Sequence, residues 1–145
     1  MVVYEYGSGR STIWFAERVK KIYTVEYQEK WKTQVEQWAT ERKIDNIDIT
    51  FCLNEPPEPY VKTVERVQEP IDFLIVDGRN RCESFITALP YLTKDAIVVL
   101  DDSQRSRYNM AKELLGYAWD EVSWQAPKRP DGKSSKRTSV YLPKK

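Results

Sequence analysis

Short β-type runs alternate with helix-period segments along the first hundred residues, and most of the runs stop at an acidic residue or a glycine. Residues 2–6, 22–26, 47–53, 71–76 and 96–100 are such runs, rich in Val, Ile, Leu, Phe and Tyr. Nearly continuous apolar runs suit strands buried on both faces, and helical crossovers between them make the strands parallel. The segments between them supply the crossovers. Residues 11–21 offer Ile13, Phe15, Ala16 and Val19 as an inner face, and residues 28–42 place Trp31, Val35 and Trp38 at i, i+4, i+7. Prolines exclude 54–59 from a central strand, and Val61, Val64 and Val67 predict a short helix over 60–68. A helix through Cys82, Phe85, Ile86 and Leu89 stops at Pro90. Another spans 104–116, with Tyr108, Ala111, Leu114 and Leu115 inward and Gly116 as its terminator. Residues 120–124 and 138–142 read as an antiparallel pair at a sheet edge, joined by the polar loop 126–136. The expected fold is α/β, a Rossmann-like three-layer sandwich with a mostly parallel seven-stranded sheet and a C-terminal antiparallel hairpin. One domain is expected over residues 1–145.

Composition narrows the chemistry. The chain has no histidine, which excludes a zinc–histidine site, a histidine base and a histidine-containing triad. Its 23 basic and 22 acidic residues leave a net charge of +1, so no general attraction to nucleic acid is expected. The basic stretch 128–137 is a local exception that suits an acidic partner or an RNA backbone, or else a solubilising turn. Cys52 and Cys82 fit reduced thiols in apolar surroundings, and no stretch reads as a signal peptide or membrane span. A cytoplasmic protein is the expectation.

The first loop carries the most specific signal. Glu5-Tyr6-Gly7-Ser8-Gly9-Arg10-Ser11-Thr12 sits where the first strand hands over to the first helix. Glycines there let the backbone turn tightly and approach a ligand. Glu26, at the end of the second run, is an acid that can accept both hydroxyl hydrogens of a ribose. The loop lacks the Gly-Lys-Ser/Thr of a Walker loop and the third glycine of a dinucleotide fingerprint. Glu5 would repel a pyrophosphate but suits the positive charges of S-adenosylmethionine.

These residues resemble the first motif of class I S-adenosylmethionine-dependent methyltransferases, and the similarity in element order extends over nearly the whole chain. The resemblance implies that Glu5, Gly7, Ser8, Gly9, Ser11 and Thr12 cradle the methionine end, with Asp77 beside them. It further implies that Glu26 holds the ribose and that Cys52 and Leu53 lie near the adenine. The family usually has helices before the first strand that cover the cofactor. With a strand starting at residue 2, the cover is expected from a loop or from a second subunit of a homo-oligomer, or is absent.

Asp77 ends the fourth run and Asp101-Asp102 the fifth, which predicts three carboxylates along one rim of the sheet. Such a cluster needs a cation. A magnesium-like ion is one answer; Arg79, Arg81, Arg105 and Arg107 are the other; a turn at Asp77-Gly78 with Asp101 capping a helix is the bland reading. The arrangement is similar to catechol-type O-methyltransferases, which implies Mg2+ held by Asp77, Asp101 and Asp102, with aspartate replacing the family's asparagine at Asp102. Without a metal, Asp77 or Asp102 would accept the acceptor's proton. Arg79, Asn80, Arg105 and Tyr108 would face a small acceptor, and the guanidinium groups favour one bearing a carboxylate or phosphate. Asn54-Glu55-Pro56-Pro57 resembles the signature of amino-methyltransferases but follows the wrong run and is interrupted by Glu55, so nucleobase chemistry is discounted. A non-catalytic adenosyl-binding protein is the alternative function.

Overall fold

The computed structural model describes residues 1–127 and 135–145. Strands β1 (Val2–Tyr6), β2 (Lys21–Glu26), β3 (Ile47–Phe51), β4 (Ile71–Val76) and β5 (Leu92–Leu100) are parallel, and β6 (Trp119–Gln125) and β7 (Arg137–Pro143) form the antiparallel pair. The order across the sheet is β3-β2-β1-β4-β5-β7-β6. It reverses direction between β1 and β4, so the loops leaving these two strands part and open a crevice at their carboxyl ends. The expected α/β sandwich is therefore the observed one. Most of the basic stretch 128–137 lies outside the described residues. Among those described, no helix is long and apolar enough to cross a membrane.

Helices α1 (Arg10–Ala16) and α2 (Glu29–Glu41) lie on the side of the smaller core, where Val3, Ile22 and Ile75 meet Ala16 and Phe15. Helices α3 (Pro57–Val61), α4 (Arg81–Ala88) and α5 (Asn109–Ala118) bring residues to the larger core. There Tyr6, Leu74, Val98 and Leu100 from the strands meet Tyr60, Phe85, Ala111 and Leu115. Burial of each large apolar side chain contributes about 1.5–3 kcal/mol. Two of the buried tyrosines bond their hydroxyls: Tyr6 donates to the Val61 carbonyl at 2.7 Å, and Tyr4 pairs with the Thr63 hydroxyl at 2.6 Å.

Several boundaries differ from expectation for local reasons. Helix α1 stops at Ala16, not at residue 21, because the Asn46 amide binds the carbonyls of Ala16 and Val19 and turns the chain toward β2. Helix α3 starts at Pro57, where a missing N–H costs nothing, and tightens into a 3-10 turn over Lys62–Arg66. Helix α5 runs through Gly116 to Ala118, so this glycine is not its terminator. Leu114 and Ile86 face solvent rather than the core. The apolar stripe of α2 is also not a core stripe: Val35 is buried, whereas Trp31 is 44% exposed and Trp38 half-buried.

Candidate active site

A cleft of about 690 Å3 opens at the carboxyl ends of β1, β2, β4 and β5, within the range of small-molecule sites. Its floor is a contact between two glycines. Gly7 has φ +93°, a left-handed conformation that glycine adopts without strain, and a Cβ there would stand 2.8 Å from the Gly78 backbone. A Cβ on Gly78 would in turn lie 3.1 Å from the Gly7 nitrogen and 2.1 Å from the Tyr60 hydroxyl. The loops after β1 and β4 can pass this closely only because neither carries a side chain at the crossing. Gly78 is a site residue that sequence reasoning treated as a mere turn. Gly9, by contrast, is extended, has open space around its Cβ position and does not line the cleft.

Glu26 forms the wall next to this floor. It is 3% exposed, and its carboxylate accepts from the Ser8 N–H at 3.1 Å, the Ser8 hydroxyl at 3.0 Å, and the N–H groups of Tyr27 and Gln28 at 2.9 and 2.8 Å. The Ser8 hydroxyl can exchange its place on Oε2 for another hydroxyl donor. Glu5 points elsewhere. Its fully buried carboxylate accepts from the hydroxyls of Ser11 at 2.6 Å and Thr12 at 2.5 Å, while Thr12 Oγ1 accepts from the Gly9 N–H at 2.9 Å. Burial pushes the Glu5 carboxyl up to about 7, against the pull of these hydroxyl donors. Glu5, Ser11 and Thr12 thus hold the loop from beneath and do not line the cleft. Cys52 and Leu53 do not line it either, and Leu53 is 61% exposed. Tyr27, Trp31, Asn54 and Glu55 supply that wall instead. Tyr27 and Asn54 could have been found from their position, each within a few residues of a strand's carboxyl end.

The three acidic residues at the ends of β4 and β5 converge as expected, but on a guanidinium. Arg81, 8% exposed, lies 3.1 Å from Asp77 Oδ1, 3.9 Å from Asp101 Oδ2 and 3.8 Å from Asp102 Oδ2. It also donates to the carbonyls of Gly78 at 3.0 Å, Asp77 at 2.9 Å and Asp101, and stacks 5.2 Å over Tyr108. Asp102 takes a second guanidinium, Arg105, at 2.5 Å. Of the two cations considered for this cluster, the arginine is the one that fits. Arg81 stands between the carboxylates of Asp77, Asp101 and Asp102, where Mg2+ was expected, and no group of three metal-ligating side chains forms among the described residues, so these residues as arranged do not fit that ion. Burial and the neighbouring Asp101 charge push the half-exposed Asp77 carboxyl up to about 7. Asp101 is held below the ordinary carboxylate range: burial opposes this, but the Thr138 hydroxyl at 2.7 Å and hydrogen bonding with Asp77 prevail. Asp77 therefore titrates near neutrality on the cleft surface, whereas Asp101 does not line the cleft.

Asp77, Asp102, Arg79, Asn80, Arg105 and Tyr108 all line the same cleft as Gly7, Ser8 and Glu26. Asn80 adopts φ +53° at the start of α4 and donates to the Asn54 carbonyl at 3.0 Å, tying the loop after β4 to that after β3. Arg79 stands over Tyr27 and Arg107 over Tyr108, at 5.9 and 5.0 Å.

The methyltransferase-domain family model matches residues 4–103, which include the first loop and both acidic strand ends. The chain belongs to the methyltransferase-domain family. No curated protein matches it by sequence. Among solved structures, an rRNA methylase from Streptococcus thermophilus is similar over 99% of this chain and 87% of that one, with a TM-score of 0.75 and 16% identity. The O-methyltransferase TomG from Streptomyces achromogenes, solved with S-adenosylmethionine, is similar over 99% of this chain and 73% of that one, with a TM-score of 0.77 and 18% identity. An O-methyltransferase from Bacillus cereus, solved with S-adenosylhomocysteine, gives a TM-score of 0.73 and 18% identity over 97% of this chain and 73% of that one. Such low identities speak for the fold, and this methyltransferase has the class I fold that its glycine loop and strand order imply.

Proposed function

We propose that this methyltransferase binds S-adenosylmethionine in the cleft at the ends of β1, β2 and β4 and methylates a hydroxyl of a small anionic acceptor. The observation that carries this reading is the glycine crossing of Gly7 and Gly78 beside the buried Glu26 carboxylate. Glu26 would accept the ribose hydroxyls, and the side-chain-free crossing leaves room for the methionine end. The bound cofactor supplies a methyl carbon made electrophilic by a sulfonium. The protein's contribution is alignment, which can be worth about 7–11 kcal/mol of barrier, and removal of the acceptor proton.

Asp77 is the base we assign to that proton, since its carboxyl lines the cleft and titrates at about 7. The Asp102 carboxylate is already engaged by Arg81 and Arg105. Arg79, Asn80 and Tyr108 would orient the acceptor, and Arg79 can bind an acidic group bidentately.

Calorimetric titration with S-adenosylmethionine, followed by transfer of labelled methyl to acidic hydroxylated metabolites, tests the reading. Turnover is expected to rise with pH through about 7, as Asp77 loses its proton, and to level off above it. Asp77→Asn should keep cofactor affinity and lose this rise together with most of the activity. A Glu26→Ala protein that binds S-adenosylmethionine as tightly as the wild type would remove the pocket assignment.

A further inference from the structure

Between α1 and α2 lies a second hollow, of about 400 Å3, that among the described residues shares no lining residue with the cleft. Arg10, Ile13, Trp14, Glu17, Trp38 and Arg42 line it. The tryptophans are not spent on the core: Trp14 is 53% exposed and Trp38 half-buried. The Arg10 guanidinium carbon lies 5.8 Å from the Trp38 ring centre, and that of Arg18 lies 4.3 Å from the Trp14 ring centre. Glu17 is shared between Arg42 at 2.9 Å and Arg18 at 3.1 Å, and with Arg10 over Trp38 the hollow and its edge carry three guanidiniums to one carboxylate. Exposed indoles favour a flat π-system, and the excess of guanidinium favours an anion. A flat ring carrying an anionic group satisfies both, whereas an aliphatic anion leaves the indoles bare and a neutral ring leaves the charge unanswered.

We propose that this groove binds a nucleotide, with its base against Trp14 and Trp38 and its phosphate on Arg10 and Arg42. The aromatic surface continues beyond the groove. Trp31, which lines the cleft, lies 6.3 Å from Trp38 along α2. A free mononucleotide and a nucleotide within single-stranded RNA present the same ring and phosphate, and stacking on indoles tolerates any base. The groove's residues are separate from those of the proposed cofactor pocket, so the inference does not depend on that pocket.

The test is tryptophan-fluorescence titration with UMP, AMP and a short oligouridylate, with and without saturating S-adenosylhomocysteine. Saturable binding of UMP and AMP that persists with S-adenosylhomocysteine is expected. Trp14→Ala and Arg42→Gln, both on the exposed rim, should each weaken it roughly tenfold or more, while Trp14→Phe stays within a few-fold of wild type. S-adenosylhomocysteine affinity should not change in any of the three. Oligouridylate binding that is much tighter than UMP and falls steeply with salt assigns the nucleotide to an RNA strand; similar affinities assign it to a free nucleotide. Absence of saturable binding, displacement by S-adenosylhomocysteine, or unchanged affinity in both Trp14→Ala and Arg42→Gln overturns the proposal. A dimer that Trp14→Ala dissociates also overturns it, by giving the groove to a second copy of the chain.

Discussion

Arg81 joins the ends of β4 and β5 by meeting three carboxylates and three carbonyls with one side chain. Removing it leaves Asp102, 5% exposed, with a weakened set of partners in a nearly dry site. Loss of one partner from a buried charge cluster costs about 3–5 kcal/mol. Arg81→Met is expected to lose stability on that scale in urea denaturation, and Arg105→Met much less, because Arg105 is 45% exposed and Asp102 keeps Arg81. The glycine crossing offers a second test at this scale. Gly78→Ala drives a methyl into the Tyr60 hydroxyl, a buried oxygen without a hydrogen-bond partner among the described residues. Tyr60→Phe alone should therefore be neutral or stabilising. Combined with Gly78→Ala, it should recover part of the stability lost by the glycine variant, the remaining contacts at 3.1 Å to Gly7 and Tyr6 keeping recovery incomplete. Strict additivity of the two changes in a double-mutant cycle would contradict the contact.

Among the elements, α5 provides the clearest measurement. Gly116 lies inside it, and a Cβ there meets nothing within 4 Å. Gly116→Ala is expected to stabilise the protein by about 0.5–1 kcal/mol, since alanine loses less backbone entropy in a helix. A loss of stability would restore Gly116 as a helix terminator. The same helix marks where sequence reading ends. Strands 71–76 and 96–100 were legible because their apolar runs report burial on both faces, and their order with the intervening helices implied the sheet. The end of α1 was not legible, because the Asn46 amide that stops it is distant in sequence. In the site, Gly7, Glu26, Asp77 and Asp102 were legible from strand-end position alone. The inward turn of Glu5 was not, since it depends on the hydroxyls of Ser11 and Thr12 folding back beneath the loop. Nor was Arg81 separable from its three arginine neighbours, which share its charge and strand-end placement. Only the burial of α4's first turn distinguishes it.

At the scale of the whole molecule, Glu5 makes the parallel sheet's stability depend on pH. Its carboxylate lies on the middle strand β1, paired on both sides by β2 and β4, where ionisation is costly. The folded-state value of about 7 stands above the ordinary 4.5, so between these values the folded chain binds a proton that the unfolded chain has released. Folding is therefore favoured at the acidic end, and the contribution of this group is lost as pH rises from about 4.5 to about 7. The shift corresponds to about 3 kcal/mol, or several degrees in melting temperature. Glu5→Gln keeps the size of the side chain and, like the protonated acid, offers one accepting oxygen and one donating end, but cannot ionise. Its melting temperature is expected to match the wild type near pH 4.5 and to exceed it by several degrees at pH 8, as followed by circular dichroism at both pH values. If the two proteins keep a constant difference across that window, Glu5 ionises as easily inside the sheet as in water, and the loop it supports is more hydrated than its hydroxyl partners imply.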